Sequence, residues 1–378
     1  MPRTVLAITG LSTLLVAAVQ AQAVPVVALS KPDVEFAEPF DQVTAVRELA
    51  DGRVVVADVF AKAVSLIDFR SGSVAPIGRE GQGPGEYAFP SGLVAFPGDT
   101  TLIVDPVQRR LVKVAPNGKP VSLVSFPEGT GLPIVRGADS RGRIYLQGSP
   151  FELGLGEARA ELPDSAPIIR WNPADGRTET LGRIKLPEIA RASSGNSGNR
   201  TVVMRQQPYS PRDAWSVTPD GRVGIARVAD YSVEWWGSSK VTGPVVAYHP
   251  VRVTQADKDE IKRRESDTRG RMTVNVGGAP RRGTTPPPPP SLPEPEWPEF
   301  KPAFLGDVLA SPNGQLWVPR SVAAGAPRVY DIFDARGHLV QQVRLQPSSR
   351  LVGFGKGSVY VTRTDEDELQ YLQRFRMP

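Results

Sequence analysis

Ala50-Asp51-Gly52-Arg53-Val54-Val55-Val56-Ala57-Asp58 sets the grammar of the chain. A turn, in which Gly supplies the positive φ of a tight hairpin, leads into an apolar strand that ends on a polar residue. The pattern returns in Gly98-Asp99-Thr100-Thr101-Leu102-Ile103-Val104-Asp105 and Ser140-Arg141-Gly142-Arg143-Ile144-Tyr145-Leu146. It returns again in Pro219-Asp220-Gly221-Arg222-Val223-Gly224-Ile225-Ala226, Pro312-Asn313-Gly314-Gln315-Leu316-Trp317-Val318 and Gly355-Lys356-Gly357-Ser358-Val359-Tyr360-Val361. Gly52, Asp99 and Gly142, and later Gly314 and Gly357, stand about 43 to 47 residues apart, the length of a four-stranded blade. Six copies at that period predict an all-β chain folded as a six-bladed β-propeller.

Alternation within the first copy places strands at 43–49, 53–58, 64–69 and 73–77. The last copy, from Leu351 to Tyr371–Phe375, has room for three strands. Val34–Phe36 is therefore expected to supply the fourth and close the ring, hiding both terminal edges. The two longer steps between turns hold inserts, at 150–166 with 187–210 and at 254–302. Thr254–Met272 reads as a surface helix with a capping-box-like start, Thr254 followed by Asp257. Residues 277–302, with Pro286–Pro290, cannot make a ladder and favour polyproline II. The expected organisation is a signal peptide at 1–23 and a propeller at 24–378. The 254–302 insertion falls between blades four and five.

Arg3, the apolar run Val5–Val19 and Ala21-Gln22-Ala23 form a secretory signal with its cleavage site. The run falls short of the ~20 residues of a spanning helix, and no later segment could span a bilayer. Export to the periplasm or beyond is expected, with no membrane span after signal removal. Lys and Arg number 45 against 40 Asp and Glu, a net charge of +5. The basic residues are scattered rather than striped, which argues against a nucleic-acid partner. With no cysteine and two distant histidines, His249 and His338, disulfides, thiol catalysis and zinc chemistry are disfavoured.

Gly78-Arg79-Glu80-Gly81-Gln82-Gly83-Pro84-Gly85-Glu86-Tyr87, then Phe89-Pro90, links the first two copies. No Lys-Ser/Thr follows and Phe89-Pro90 breaks any helix, so a phosphate loop fails. A tight inter-blade turn remains, with Glu86 placed to accept from its amides. Together with Leu102–Asp105, Arg110–Val112, Asp58 before Val64–Asp68, and Trp297–Val318, this string resembles bacterial exported six-bladed propellers. That family is NHL-repeat-like and related in fold to TolB-like and gluconolactonase-type propellers. The resemblance covers nearly all of the chain after residue 23. It implies a fold and an extracytoplasmic setting, but no activity and no catalytic residues.

Calcium-dependent lactonases of this fold place Glu, Asn and Asp on inner strands. Here Asn117, Asn172 and Asn313 fall in turns, and Asn196, Asn199 and Asn275 in inserts. No cofactor is expected, although Glu48, Asp139, Asp213 and Asp307 leave a calcium-like cation open. Six residues past each turn, at the end of the second strand, stand Asp58, Asp105, Gly148, Arg227, Arg320 and Arg363. These would make one rim acidic on blades one and two and basic on blades four to six. Arg227, Arg320 and Arg363 could hold an anion bidentately, or each residue could be tied within its own blade. Arg47, Arg136, Trp215 and Asp307 are the candidates for the channel mouth. Trp235-Trp236 could stack on a sugar or fill an inter-blade gap. Two functions follow. One is a non-catalytic binder of an anionic small molecule or a protein partner at the rim or channel mouth. The other is a cation-dependent, lactonase-like hydrolase or lyase at the central channel.

Overall fold

The computed structural model describes residues 24–148, 163–196, 199–266, 272–276 and 290–378. The expected signal peptide and most of the proline run lie outside them. Six antiparallel sheets follow one another along the chain. Blade one comprises Val43–Glu48, Val54–Asp58, Ala63–Asp68 and Ser73–Pro76, in the order expected from alternation. Inner strands of the later blades are Gly92–Phe96, Ile134–Ala138, Ala214–Val217, Leu309–Ala310 and Ser349–Gly355. Each contacts the inner strand of the next blade through most of the ring, and that of blade six contacts that of blade one.

Second strands are buried on both faces: every residue of Val54–Asp58, Ile144–Gln147 and Leu316–Pro319 is buried. Their near-continuous apolar runs follow from this, because a blade is sandwiched between two others. The core is accordingly not one mass but six clusters, one at each blade junction. The junction of blades one and two joins Val55, Leu66 and Ile77 to Ile103 and Val112. That of blades six and one joins Tyr360 and Leu372 to Val54 and Ile67.

Ring closure is as expected. Val34–Glu35 pairs antiparallel with Gln373–Arg374 of the last strand, Gln370–Arg376, and Phe36 N–H donates to the Leu372 carbonyl at 2.8 Å. Unforeseen in the sequence, Val26–Ala28 adds a fifth, parallel strand to blade five against Gln342–Arg344.

Inner strands start on one face, called upper here, and second strands end there. Outer strands also return to it, so every blade-to-blade connection is on the upper face. The lower face carries tight hairpins only, among the described residues. The inserts therefore share the upper face. Among the described residues the helix spans Gln255–Ser266, and Met272, its expected last residue, is not part of it. Met272–Val276 is instead a strand, as the β-branched alternation of Thr273, Val274 and Val276 favours. It pairs with Asn199–Gln206, which pairs with Ile189–Asn196. Two inserts separated by a whole blade thus build one three-stranded sheet. Thr254 and Asp257 do form the reciprocal cap, with Thr254 N–H donating to Asp257 Oδ2 at 2.8 Å. Lys301 Nζ meets Asp257 Oδ1 at 2.5 Å and donates to the Val322 carbonyl, fastening the helix to blade five.

Candidate functional site

The upper end of the central channel is where side chains from distant blades meet. Asp307 sits just before the inner strand of blade five. Arg136, on the inner strand of blade three, crosses to it with Nη2 at 3.0 Å from Oδ1. Arg212, at the start of blade four, approaches the same oxygen at 3.5 Å. Arg350, the second residue of the blade-six inner strand, acts on Asp307 electrostatically. Burial works against the Asp307 charge, but Arg136, Arg212 and Arg350 outweigh it and hold the carboxyl below its ordinary range. The side chain is nonetheless 53% accessible.

Arg350 has no carboxylate of its own among the described residues. It donates to the Val43 carbonyl of blade one. Burial lowers its pKa, and the like charge of Arg328 lowers it further. Arg136 leaves its Nε buried without a partner. Three guanidiniums from three blades thus act on one carboxylate, an excess of two positive charges.

The other residues singled out from the sequence are placed elsewhere. Arg227 bonds Asp213 and Glu234, both at 2.8 Å, and lies over the Trp236 ring. Arg320 is bidentate to Asp331, whose carboxylate also accepts from Gln342 and Tyr231. Arg363 meets Glu35 at 3.0 Å on the closing strand. Each is tied to a carboxylate in or beside its own blade. Asp58 and Asp105, 5% and 0% exposed, give the upper face no acidic side. Asp58 accepts the backbone N–H groups of Asp41, Gln42, Phe60 and Ala61. Asp105 accepts those of Ala88 and Gln108. Their carboxylates brace upper-face loops through backbone amides.

Arg47 lies at the lower end of its strand, paired with Asp99 at 2.6 Å. Trp215 is 1% exposed between blades three and four, its Nε1 donating to Gln147. Only Arg136 and Asp307, of the residues expected at the mouth, come together there. Trp235 is buried between blades four and five. Trp236 lines a cleft of about 520 Å³ on the outer side of blades three and four, with Arg183, Arg227 and Lys240. Gly182 makes room for its indole, since a Cβ there would stand 2.3 Å from the ring. The Gly81–Glu86 turn is an inter-blade clamp in which Gly83 N–H donates to Glu86 Oε2 at 2.7 Å and Arg110 holds the Glu86 carbonyl at 2.9 Å.

Sequence reasoning missed Arg212 and Arg350. The available signal was the polar residue at or just before each inner strand's first apolar residue, read across blades rather than at second-strand ends. Among the described residues no three His, Asp or Glu side chains converge as metal ligands. No described helix is long and apolar enough to cross a membrane.

No protein-family profile matches the chain, and no curated protein does. Solved structures with a similar fold include a gluconolactonase from Xanthomonas campestris, at 12% identity and TM-score 0.44, covering 90% of this chain and 91% of that one. A Bacteroides fragilis protein provisionally described as exported shares 10% identity at TM-score 0.47, covering 94% and 99%. Virginiamycin B lyase from Staphylococcus aureus shares 10% at TM-score 0.38, covering 88% and 84%.

Proposed function

We propose that this chain is an exported, non-catalytic binding propeller that takes an anionic ligand at the upper mouth of its channel. The observation that carries the reading is the convergence of Arg136, Arg212 and Arg350 on a single carboxylate, Asp307. Guanidiniums present fixed forks that match carboxylate, sulfate and phosphate oxygens. Holding three of them together with one counter-charge costs stability, and an incoming anion offsets that cost. The sign of the axial charge also favours binding over cation-dependent hydrolysis, because three guanidiniums against one carboxylate repel a divalent cation. Export rests on the charged start, the apolar run and the Ala21-Gln22-Ala23 site.

The test is calorimetric titration with succinate, sulfate and phosphate at low and high salt. Binding of at least one is expected, weakening with salt. The double variant Arg136→Ala/Arg212→Ala should lose about tenfold or more in affinity, roughly 1.4 kcal/mol. Equal affinity in the double variant, or no binding by the native protein, defeats the proposal.

A further inference from the structure

The charged mouth lies beside an apolar surface. Phe89 is 38%, Val107 66% and Ile134 46% exposed. Phe89 precedes the inner strand of blade two, Val107 sits in the turn between its second and third strands, and Ile134 opens the inner strand of blade three. By the strand directions all three are on the upper face, and Ile134 is two residues from Arg136. The upper-face loops are not loose. Asp105 accepts Ala88 N–H at 2.8 Å, next to Phe89, and Gln108 N–H at 3.2 Å, next to Val107. A buried carboxylate thus fixes the backbone beside two exposed apolar side chains.

The inserts limit where a ligand can lie. They rise from the junctions of blades three and four and of blades four and five, and they are stitched together by Arg205 donating to the Pro293 carbonyl at 2.7 Å and by the pairing of Asn199–Gln206 with Met272–Val276. They wall one side of the upper face. The links on either side of blade two carry no insert, so Phe89, Val107 and Ile134 stand on a side of the mouth that the inserts leave open.

We infer that the ligand is an extended acidic peptide of a protein partner. A carboxylate of the peptide enters among Arg136, Arg212 and Arg350, while apolar side chains beside it rest on Phe89, Val107 and Ile134. This rests on the anion-binding reading and adds the partner's class. The charge excess argues for the carboxylate, and the braced apolar patch argues for side chains that a free metabolite lacks. Rim-exposed apolar contacts of this kind add affinity around a central charged anchor.

The probe is a display library of random hexapeptides with free C-terminal carboxylates, panned on the protein, with succinate titrated in parallel. Selected peptides should carry a terminal or side-chain carboxylate flanked by aliphatic or aromatic residues. The best of them should bind the variant Val107→Ser/Ile134→Ser about tenfold more weakly, with succinate affinity unchanged. Arg136→Ala/Arg212→Ala should lose both. Succinate binding without any peptide enrichment overturns the peptide inference and leaves the anion site standing. Loss of neither ligand in the arginine variant overturns both. Equal peptide affinity in the serine variant, or binding to phosphatidylserine vesicles in place of peptides, overturns the inference as well. Both serine positions are exposed, so unchanged thermal unfolding of that variant serves as the folding control.

Discussion

Asp307→Asn separates the two roles that one carboxylate plays at the mouth. In the native protein it meets Arg136 at 3.0 Å and Arg212 at 3.5 Å, and its side chain is 53% accessible. Solvent screens pairs of that exposure to about 0.2–1 kcal/mol each. Losing both should therefore destabilise the fold by about 1 kcal/mol at pH 7. The carboxyl is held below its ordinary value of 3.8. A depressed acid contributes stability above its unfolded pKa and loses it as pH falls through the folded one. The difference between native and variant proteins should thus be constant from neutral pH down to about 4 and disappear below it. Ligand affinity should move in the opposite direction. Removing one negative charge about 5 Å from a bound anion, at an effective dielectric constant of about 60, gains roughly 1 kcal/mol. Succinate should bind about fivefold tighter, and at ten times its dissociation constant it should restore about 1.4 kcal/mol to the variant. Urea denaturation at pH 7 and pH 3, with and without succinate, reads all three effects. A variant that binds anions no tighter, or whose stability loss persists unchanged at pH 3, refutes the charge argument.

Lys301→Met should cost about 3–5 kcal/mol, because it strands Asp257, 1% exposed, without its cation. Lys301→Met/Asp257→Leu should recover most of that loss, and equal urea midpoints for the single and double variants would contradict it. Asp105→Ala leaves the N–H groups of Ala88 and Gln108 unpaired in a carboxylate site that is 0% exposed. About 1–3 kcal/mol should be lost, and amide exchange should quicken in these two loops before it does in the blade strands. Phe36→Ala removes a side chain 3% exposed at the closing junction. It should cost about 3–5 kcal/mol, with limited proteolysis shifted toward the two chain ends; cleavage confined to the inserts would argue that closure carries little of the stability.

The sequence carried the fold because a blade is a local object. Each hairpin turn, each alternating strand and the missing fourth strand at Leu351–Phe375 could be read within one period, and Val34–Glu35 was the remaining strand of the right kind. Val26–Ala28 was not legible, since parallel addition to an outer edge needs only three backbone pairs and no distinctive residues. Second-strand ends misled for a physical reason. They lie on the upper face as counted, but beside their own third strands and loops, so Asp58 and Asp105 turn to nearby amides and Arg227, Arg320 and Arg363 to nearby carboxylates. Inner-strand starts are different. They line the axis, where the closest neighbour is another blade, and only there do residues 171 positions apart, Arg136 and Asp307, meet.

The same topology explains why elaboration and charge coincide. A four-stranded blade begins and ends on one face, so only that face can take a long insert in a blade-to-blade link without breaking a hairpin. Inserts on successive links rise side by side, and Asn199–Gln206 accordingly finds Met272–Val276 across blade four. The wall they form cannot encircle the mouth, because it springs from two of six junctions. Its open side is set by which links stayed short, namely the four that run from blade five through six, one and two to three. The link between blades one and two is stiffened by the Gly83–Glu86 turn and by Asp105. On the proposed reading, a ligand that approaches the guanidiniums over blade two crosses Phe89 and Val107. A wall on one side and apolar side chains on another discriminate among ligands by shape as well as by charge, so an anion with apolar flanks should outcompete a bare one at equal charge.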